Sequence, residues 1–494
     1  MGIDDLKNKL VAVLGYGQEG KAVTAYLLKH GVTPVLFDQR PWKDWPEKEK
    51  QDIKKLEINF IFGPDCFKEL AGFDVAFRSP GIPLSNPDLS PYVKPSLRPS
   101  PKGRGGLLMT SQTKWFFEHC PAKIIGVTGT KGKGTTASLI YEILSAGSGV
   151  GNGLDRSLQG KTYLTGNIGK TQAFEFLDDL SIDDYVVYEL SSFQLQDLTQ
   201  SPHIAVVLMT TSEHLDYHKD QKEYIDAKSA VTKFQTADDF AVINKDFENS
   251  TKIGALGKGK KVYFSRSRIL ESGCFVKDGA VWCSGTPMRA ENEGMPRQAS
   301  TRETLIIETK DLHLRGAHNL ENVCAAAAVA KILNVDDKTI ARAVTGFKGL
   351  EHRLEFVAVK HGIKFYNDSY STTPETAMAA IEAFKEPELL ILGGSSKHSD
   401  FSALGQTIIN KKNLRAIILI GEEATRIKSA IDQAGKYLGQ ILQGASSMAE
   451  IFRQIRLLAR PGDSVILSPA CASFGMFKNY QDRGEQFKKS VLGF

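Results

Sequence analysis

Gly126–Thr136 reads GVTGTKGKGTT, between the apolar run KIIGV (Lys123–Val127) and ASLIYEIL (Ala137–Leu144). The run before it has strand character, and the apolar residues after it recur at helical spacing. A strand–loop–helix points several backbone N–H groups into one concavity at a helix N-terminus, where phosphate oxygens bind. Glycines allow close approach and positive φ. Lys133 would neutralise β/γ-phosphate charge. The residue after it is Gly134, not Ser or Thr, so the usual phosphate-loop spelling is not met. The Mg²⁺-binding hydroxyl would then shift to Thr135 or Thr136. The plainer alternative is a glycine-rich turn with a solvated lysine. The strand before and the helix after favour the phosphate loop.

Working outward, strand and helix signals alternate on both sides. KLVAVLGYGQEGKAVTAYLLKHGVTPVLFDQR (Lys9–Arg40) reads as strand, glycine turn, helix, strand, and FDVAFRSPG supplies another strand. Asn86–Gly106 is dense in Pro, Ser, Gly and basic residues and reads as a linker. The central segment carries the strands DDYVVYEL, HIAVVLMT and DFAVINKD. Residues 261–312 hold short β-rich runs between polar turns and suggest a small antiparallel appendage. From GLEHRLEFV onward the alternation resumes through ELLILGG, AIILIG and DSVILSPA. The expected fold is α/β with mostly parallel sheets in three domains. These are a Rossmann-like domain (1–106), a central phosphate-loop ATPase domain (107–348) and a doubly wound domain (349–494).

The bulk numbers exclude several classes. At 494 residues, 41% hydrophobic and 24% charged, the chain is an ordinary globular protein of about three domains. A net charge of +5 without basic clusters argues against nucleic-acid binding. The six cysteines form no CxxC pair, which argues against structural zinc. Cys274 and Cys283 flank the hairpin-like CFVKDGAVWC, but a disulfide between them is not expected. The N-terminus lacks an apolar signal core, and no apolar run is long enough for a bilayer, so the cytoplasm is expected and a membrane is not.

Other short stretches also carry chemistry. GYGQEG with Asp38 about twenty residues on looks like a dinucleotide fingerprint, and alone would suggest NAD. Glu189 closes a strand of the central segment, at the ligand-binding edge of such a sheet, and could hold Mg²⁺. Asn319 and Asn322 lie at i and i+3 on one helix face; helix capping by His318 and Asn319 is the plainer alternative. Cys471 reads as a packed small residue rather than a nucleophile.

These stretches together resemble the Mur ligase family. GVTGTKGKGTT resembles the ATP loop of that family and of its folylpolyglutamate synthase relatives, with the GKG spelling most like the folate branch. YELSSFQL (Tyr188–Leu195) closely resembles the signature of the family's D-glutamate-adding branch. LSPACASFGMFKNYQDRGEQF resembles LSPACASxDQFKNFEQRG over nearly its whole length. TTSEHLDYH, LRGAHNLENVCAAAA, GLEHRLE, YNDSYSTTPE and LLILGGSSKHSDF resemble further family segments. Glu213, Glu351 and Tyr370 depart from them; the family usually has Asp, Pro and Lys there.

The resemblance implies ATP-dependent ligation of D-glutamate to UDP-N-acetylmuramoyl-L-alanine through an acyl phosphate, by a cytoplasmic monomer of peptidoglycan precursor synthesis. ATP would contact Gly129, Thr130, Lys131, Gly132, Lys133, Gly134, Thr135, Thr136, Asn319, Asn322, Arg353 and Asp368. Mg²⁺ would be held by Thr135, Glu189, His214 and a carbamylated Lys228. Lys133, His214, Lys228 and Arg353 form the catalytic set. The UDP substrate would contact Gly15, Tyr16, Gly17, Asp38, Arg40, Ser79, Pro80, Gly81 and Asn167. The amino acid would meet Thr372, Lys397, Ser473 and Tyr480, and the last domain is expected to close. The alternatives are a relative adding another amino acid such as L-glutamate, a folate-type ligase, a nucleotide sensor without turnover, or an NAD enzyme.

Overall fold

The computed structural model describes residues 1–93, 107–147, 158–168, 171–211, 221–285, 303–396 and 399–494. They divide into two compact units. One comprises Met1–Val276, Trp282–Thr304 and Cys324–Thr339; the other comprises Lys277–Val281, Leu305–Val323 and Ile340–Phe494.

The first unit opens with a parallel five-stranded sheet. Its strands are β1 (Val11–Leu14), β2 (Val35–Asp38), β3 (Phe60–Phe62), β4 (Val75–Arg78) and β5 (Leu108–Ser111), in the order β3-β2-β1-β4-β5. The order reverses between β1 and β4, so the loops after these two strands diverge and leave a crevice. Gly15 and Ser79 begin those loops. The fifth strand is drawn from residues 108–111, beyond the Pro- and Ser-rich stretch.

The central sheet contains β6 (Lys123–Thr128), β7 (Thr162–Gly166), β8 (Tyr185–Glu189), β9 (Ile204–Val207), β10 (Phe240–Asn244), β11 (Lys260–Ser265) and β12 (Gly273–Lys277). They belong to a nine-stranded sheet and lie in the order β12-β11-β10-β9-β6-β8-β7, with β13 (Ala280–Ser284) and then β14 (Thr304–Glu308) added beyond β12. β8 and β9 are buried at every residue, as strands covered on both faces must be. The stretch expected to form a separate antiparallel appendage is instead continuous with the central sheet, and only its β12–turn–β13 part is a hairpin. β11 pairs in parallel with β10 from Phe240↔Lys260 to Asn244↔Phe264, and β12 pairs in parallel with β11. These runs therefore extend the central sheet, and Val262, Phe264 and Phe275 on them are buried.

β13 (Ala280–Ser284) returns from β12 through Asp278–Gly279, both at positive φ (49° and 72°). That is the Asp-Gly turn whose twist suits a two-residue hairpin. The turn puts Cys274 and Cys283 opposite each other, with Cα atoms 4.1 Å apart and the sulfurs bonded. The expectation of two free thiols is thus corrected, because tight cross-strand pairing brings the side chains into reach.

One apolar cluster runs through the first and central sheets of this unit. It joins Val13, Val23 and Phe77 to Trp115, Phe116, Phe174, Val186 and Tyr188. The helix Gln112–His119 follows β5 directly and buries Trp115, Phe116 and Phe117 in it.

The second unit carries a six-stranded sheet. Its strands are β15 (Glu355–Lys360), β16 (Ile363–Asn367), β17 (Glu388–Gly393), β18 (Leu414–Ile420), β19 (Gln440–Ala445) and β20 (Ser464–Leu467), in the order β15-β16-β20-β17-β18-β19. Only β15, at the edge, runs antiparallel to its neighbour. Separate apolar clusters fill the two faces of this sheet, as in a doubly wound fold.

Candidate active site

In the first unit, functional residues gather at the carboxyl ends of two sheets. After β1, Gly15 takes φ +85°, and its carbonyl accepts Ser79 Oγ at 3.1 Å. A Cβ at Gly20 would sit 1.9 Å from that same carbonyl. Only glycine lets the helix Gln18–Lys29 start this close to the turn. Tyr16 is buried, whereas Gly17 and Gly81 are exposed and Ser79 and Pro80 half-buried.

Asp38, at the end of β2, accepts Tyr16 N–H at 3.0 Å and Arg40 N–H at 2.9 Å. One carboxylate oxygen thus fixes the loop after β1, which borders the crevice, and the other the loop after β2. The Arg40 guanidinium lies 3.4 Å from the Trp45 ring centroid, and its side chain reaches Glu49 at 3.7 Å. Asn167 is exposed just past β7, whose last residue, Gly166, pairs with Glu189.

The sequence reading did not foresee what joins the two sheets. Arg78, fully buried in the RSPG segment, donates to Asp197 at 3.0 Å, and Ser111 Oγ donates to the other oxygen of Asp197. Gln194, from YELSSFQL, donates to Glu19 at 2.8 Å. Burial pushes the Glu19 carboxyl up to about 7, and its Oε2 has no hydrogen-bond partner among the described residues. The one available signal was the glutamine in that octet, which served to identify the family and not a contact.

The phosphate loop follows β6. Gly129 and Gly132 adopt φ of +155° and +87°. A Cβ at Gly129 would come within 2.7 Å of Leu208 Cβ, so the loop passes β9 too closely for any side chain. Thr130 anchors it: its Oγ1 donates to Thr211 O at 3.0 Å and accepts Thr211 N–H at 2.9 Å. Lys133 begins the helix Lys133–Gly147, and its Nζ donates to the carbonyls of Gly129 (3.0 Å) and Thr130 (3.1 Å). Lys131 is exposed and Gly134 buried. Burial separates the two candidate hydroxyls: Thr136 is fully buried, and Thr135 is not. Thr135 is therefore the more accessible of the two.

Lys228, on the helix Gln221–Lys233, is buried (1% exposed) beneath this loop. Its Nζ donates to Gly129 O at 3.1 Å and Thr128 Oγ1 at 3.3 Å, and lies 4.7 Å from the Tyr224 ring centroid. A surface helix lysine would not be placed so. Glu189 is buried at the end of β8, the strand beside β6. Among the described residues no group of three His, Cys, Asp or Glu side chains forms a metal cage. Thr135 and Glu189 nonetheless carry hard oxygen atoms of the kind that Mg²⁺ favours. His214 lies outside the described residues, as does Lys397.

In the second unit, Gly316 (φ +89°) precedes the helix Ala317–Ile332. Asn319 donates to Arg315 O at 2.6 Å, and Asn322 donates to Asn319 Oδ1 at 2.9 Å. The pair shares one face as the spacing predicts. The helix begins before Asn319, so that side chain holds an upstream carbonyl instead of capping N–H groups.

The turn before β15 is strained. His352 (φ +64°) and Leu354 (φ +43°) flank Arg353 in a conformation that side chains other than glycine rarely adopt. Asp368 helps hold it, accepting Leu354 N–H at 3.0 Å and Ser468 Oγ at 2.7 Å. Burial raises the Asp368 carboxyl to about 7. Glu355 accepts His352 N–H at 2.9 Å and Asn367 Nδ2 at 3.0 Å. Arg353 itself is exposed, Thr372 half-buried and Ser473 buried. Cys471 is packed in the core, as expected.

Arg483, unforeseen, is fully buried. It donates to Ser369 Oγ (2.9 Å), Ser369 O (2.8 Å) and Cys471 O (3.3 Å), and burial lowers its guanidinium to about 10. It thereby ties NDS to SPACAS, and Ser369 Oγ in turn donates to Tyr480 O at 2.8 Å. The QDRG that carries it was visible in the sequence, but nothing local marked that arginine as internal.

Glycine turns at strand ends, a phosphate-type loop with lysines folded onto it and a strained arginine turn are the features of a multidomain α/β protein built to take nucleotides. Known proteins narrow the class. The profile of the Mur ligase middle domain matches residues 127–330, that of the Mur ligase glutamate ligase domain 352–471, and that of the Mur ligase MurD-like N-terminal domain 9–96. The UDP-N-acetylmuramoylalanine–D-glutamate ligase of Acetivibrio thermocellus is 36% identical over 491 residues, spanning 98% of this chain and 97% of that protein. The protein of the same name from Ruminiclostridium cellulolyticum is 35% identical over 494 residues, spanning 99% and 97%. Among solved structures, MurF from Acinetobacter baumannii superposes with a TM-score of 0.57 at 16% identity, covering 98% of this chain and 90% of that one. MurC from Thermotoga maritima gives 0.54 at 14%, covering 98% and 100%. The chain belongs to the Mur ligase family.

Proposed function

We propose that the protein joins D-glutamate to UDP-N-acetylmuramoyl-L-alanine at the expense of ATP, a cytoplasmic step in building peptidoglycan precursors, and acts as a monomer. The names of its relatives support the substrates, and their identity runs over nearly the whole chain. The MurF of Thermotoga maritima, similar in fold, was solved with ADP. Among the described residues no helix is long and apolar enough to cross a membrane.

The chemistry follows from the residues. The alanyl carboxylate attacks the γ-phosphorus, its bond to the β,γ-bridging oxygen breaks, and ADP leaves with an acyl phosphate formed. The amine of glutamate adds to the acyl carbon, loses a proton, and the tetrahedral intermediate expels inorganic phosphate. A carboxylate is a poor electrophile, so phosphorylation supplies the leaving group. Catalysis of the first step is mainly positioning and charge neutralisation.

The backbone N–H groups of 129–136 would cradle the phosphates, and Lys133 would exchange its loop carbonyls for them. Arg353 would neutralise the transferring group. Asn319, Asn322 and Asp368 would seat the nucleotide. The crevice at Gly15, Tyr16, Gly17, Asp38, Arg40, Ser79, Pro80, Gly81 and Asn167 would hold the UDP portion. Thr372, Lys397, Ser473 and Tyr480 would seat glutamate. Thr135 and Glu189, with His214 and a carbamate on Lys228, would hold Mg²⁺, which supplies charge neutralisation.

The burial of Lys228 under the phosphate loop carries the reading, since a buried ammonium there is costly unless it is paired or modified. The test is phosphate release by purified protein with ATP, Mg²⁺, UDP-N-acetylmuramoyl-L-alanine and a panel of amino acids. D-glutamate is expected to give the most product. Equal turnover with L-glutamate or lysine refutes the specificity.

A further inference from the structure

The side chain that departs from the family pattern, Tyr370, lies against the arginine on which the proposed phosphoryl transfer depends. The Arg353 guanidinium carbon sits 4.1 Å from the Tyr370 ring centroid. Among the described residues that guanidinium makes no hydrogen bond or ion pair, and the ring is its close contact, with the Asp368 carboxyl acting on its charge from farther off.

The backbone on either side is fixed. Arg353 N–H reaches Leu350 O at 3.0 Å, Leu354 N–H reaches Asp368, and Tyr370 N–H reaches His352 O at 2.9 Å. What remains free is the long side chain itself, and an unsupported exposed arginine samples many rotamers. The ring is braced in turn: Tyr480 meets Tyr370 edge-on at 5.1 Å and His352 edge-on at 5.8 Å.

We infer that Tyr370 is the positioning residue for Arg353, its ring forming a shelf that fixes the guanidinium while leaving the in-plane N–H donors free for phosphate oxygens. The inference rests on the proposed function. Stacking uses the face of the guanidinium, and anion recognition uses its edge, so the two do not compete. A lysine at this position would put a second cation beside Arg353 and give no such support. Tyr370 is 45% exposed, so its replacement leaves the core intact.

The test compares Tyr370→Phe and Tyr370→Leu. In the intact protein with labelled arginine, the Arg353 Nε–H resonance, assigned with Arg353→Lys, is expected to show an upfield ring-current shift. Tyr370→Phe keeps that shift and Tyr370→Leu abolishes it. In turnover, Tyr370→Leu lowers kcat roughly fivefold with the KM for glutamate unchanged, and Tyr370→Phe stays within about twofold of the parent. An Arg353 resonance indifferent to Tyr370→Leu overturns the inference. So does an equal kcat loss in both variants, which would transfer the role to the hydroxyl. A parent protein inactive on the proposed substrates refutes the proposed function instead, and the resonance still decides whether the shelf exists.

Discussion

The phosphate loop at 129–136 and the turn at 349–355 each carry a cation proposed above to meet the triphosphate, and they are built by opposite means. The loop uses glycines at positive φ, and its own Lys133 and Lys228 from a neighbouring helix reach its backbone carbonyls. The turn forces His352 and Leu354 to positive φ and leaves its arginine exposed on a tyrosine ring. The first device is local, because glycine needs no help to adopt that backbone. The second stands only because Asp368, Glu355 and Asn367, brought from along the sheet, hold the turn in place. A local device can be read from a string of residues, whereas an imposed one cannot.

Four measurements sharpen or break this contrast. The largest effect is expected from Lys133→Ala in the loop, with kcat for phosphate release falling roughly 10²–10³-fold, as on removing a preorganised charge donor. A smaller loss would shift the burden to Arg353. Next comes the pH dependence of the turn. Asp368 has its folded pKa raised to about 7 from an ordinary 3.8. Between those values the folded state keeps a proton that the unfolded chain releases. Its contribution is therefore full below about pH 4 and is lost as pH rises toward 7. Comparing urea unfolding at pH 4.5 and 7.5, Asp368→Asn should flatten the decline by roughly 3 kcal/mol. An unchanged slope would show that the carboxyl is ionised.

Third, Gly129→Ala should cost about 2 kcal/mol in thermal unfolding, through unfavourable φ and the Cβ collision with Leu208. A neutral result would mean that the loop has room to move. The smallest effect belongs to Lys488, which reaches Glu351 at 3.0 Å, Glu355 at 3.5 Å and Glu485 at 2.7 Å. Lys488→Met should destabilise by about 1 kcal/mol, less in high salt, since the cluster is partly solvated. Insensitivity to salt would show that its methylene stem, rather than its charge, supports the turn.

Much of the site was legible in the sequence because strand–glycine loop–helix signals are local. The Gly15 turn, the phosphate loop and the strand ending at Glu189 all formed where their residues placed them. The β-rich stretch was misread because pattern alone cannot tell an appended antiparallel strand from one added in parallel to a sheet already present. Cys274 and Cys283 were visible as a pair, but only the Asp278–Gly279 turn determined that they oppose each other. The buried tie between the first two sheets, Arg78 with Asp197 and Gln194 with Glu19, went unseen because its partners are about 120 and 175 residues apart.

By itself, then, the sequence determined the α/β class and the glycine turns, because these depend on backbone freedom and periodicity within a few residues, and it carried the motif spellings that mark the family. Only the tertiary structure decided that Lys228 is buried under the loop, that Thr135 and not Thr136 is accessible, and that Arg353 rests on Tyr370. Burial and ring contact are properties of what packs against a residue, and the chain that does the packing is remote in sequence.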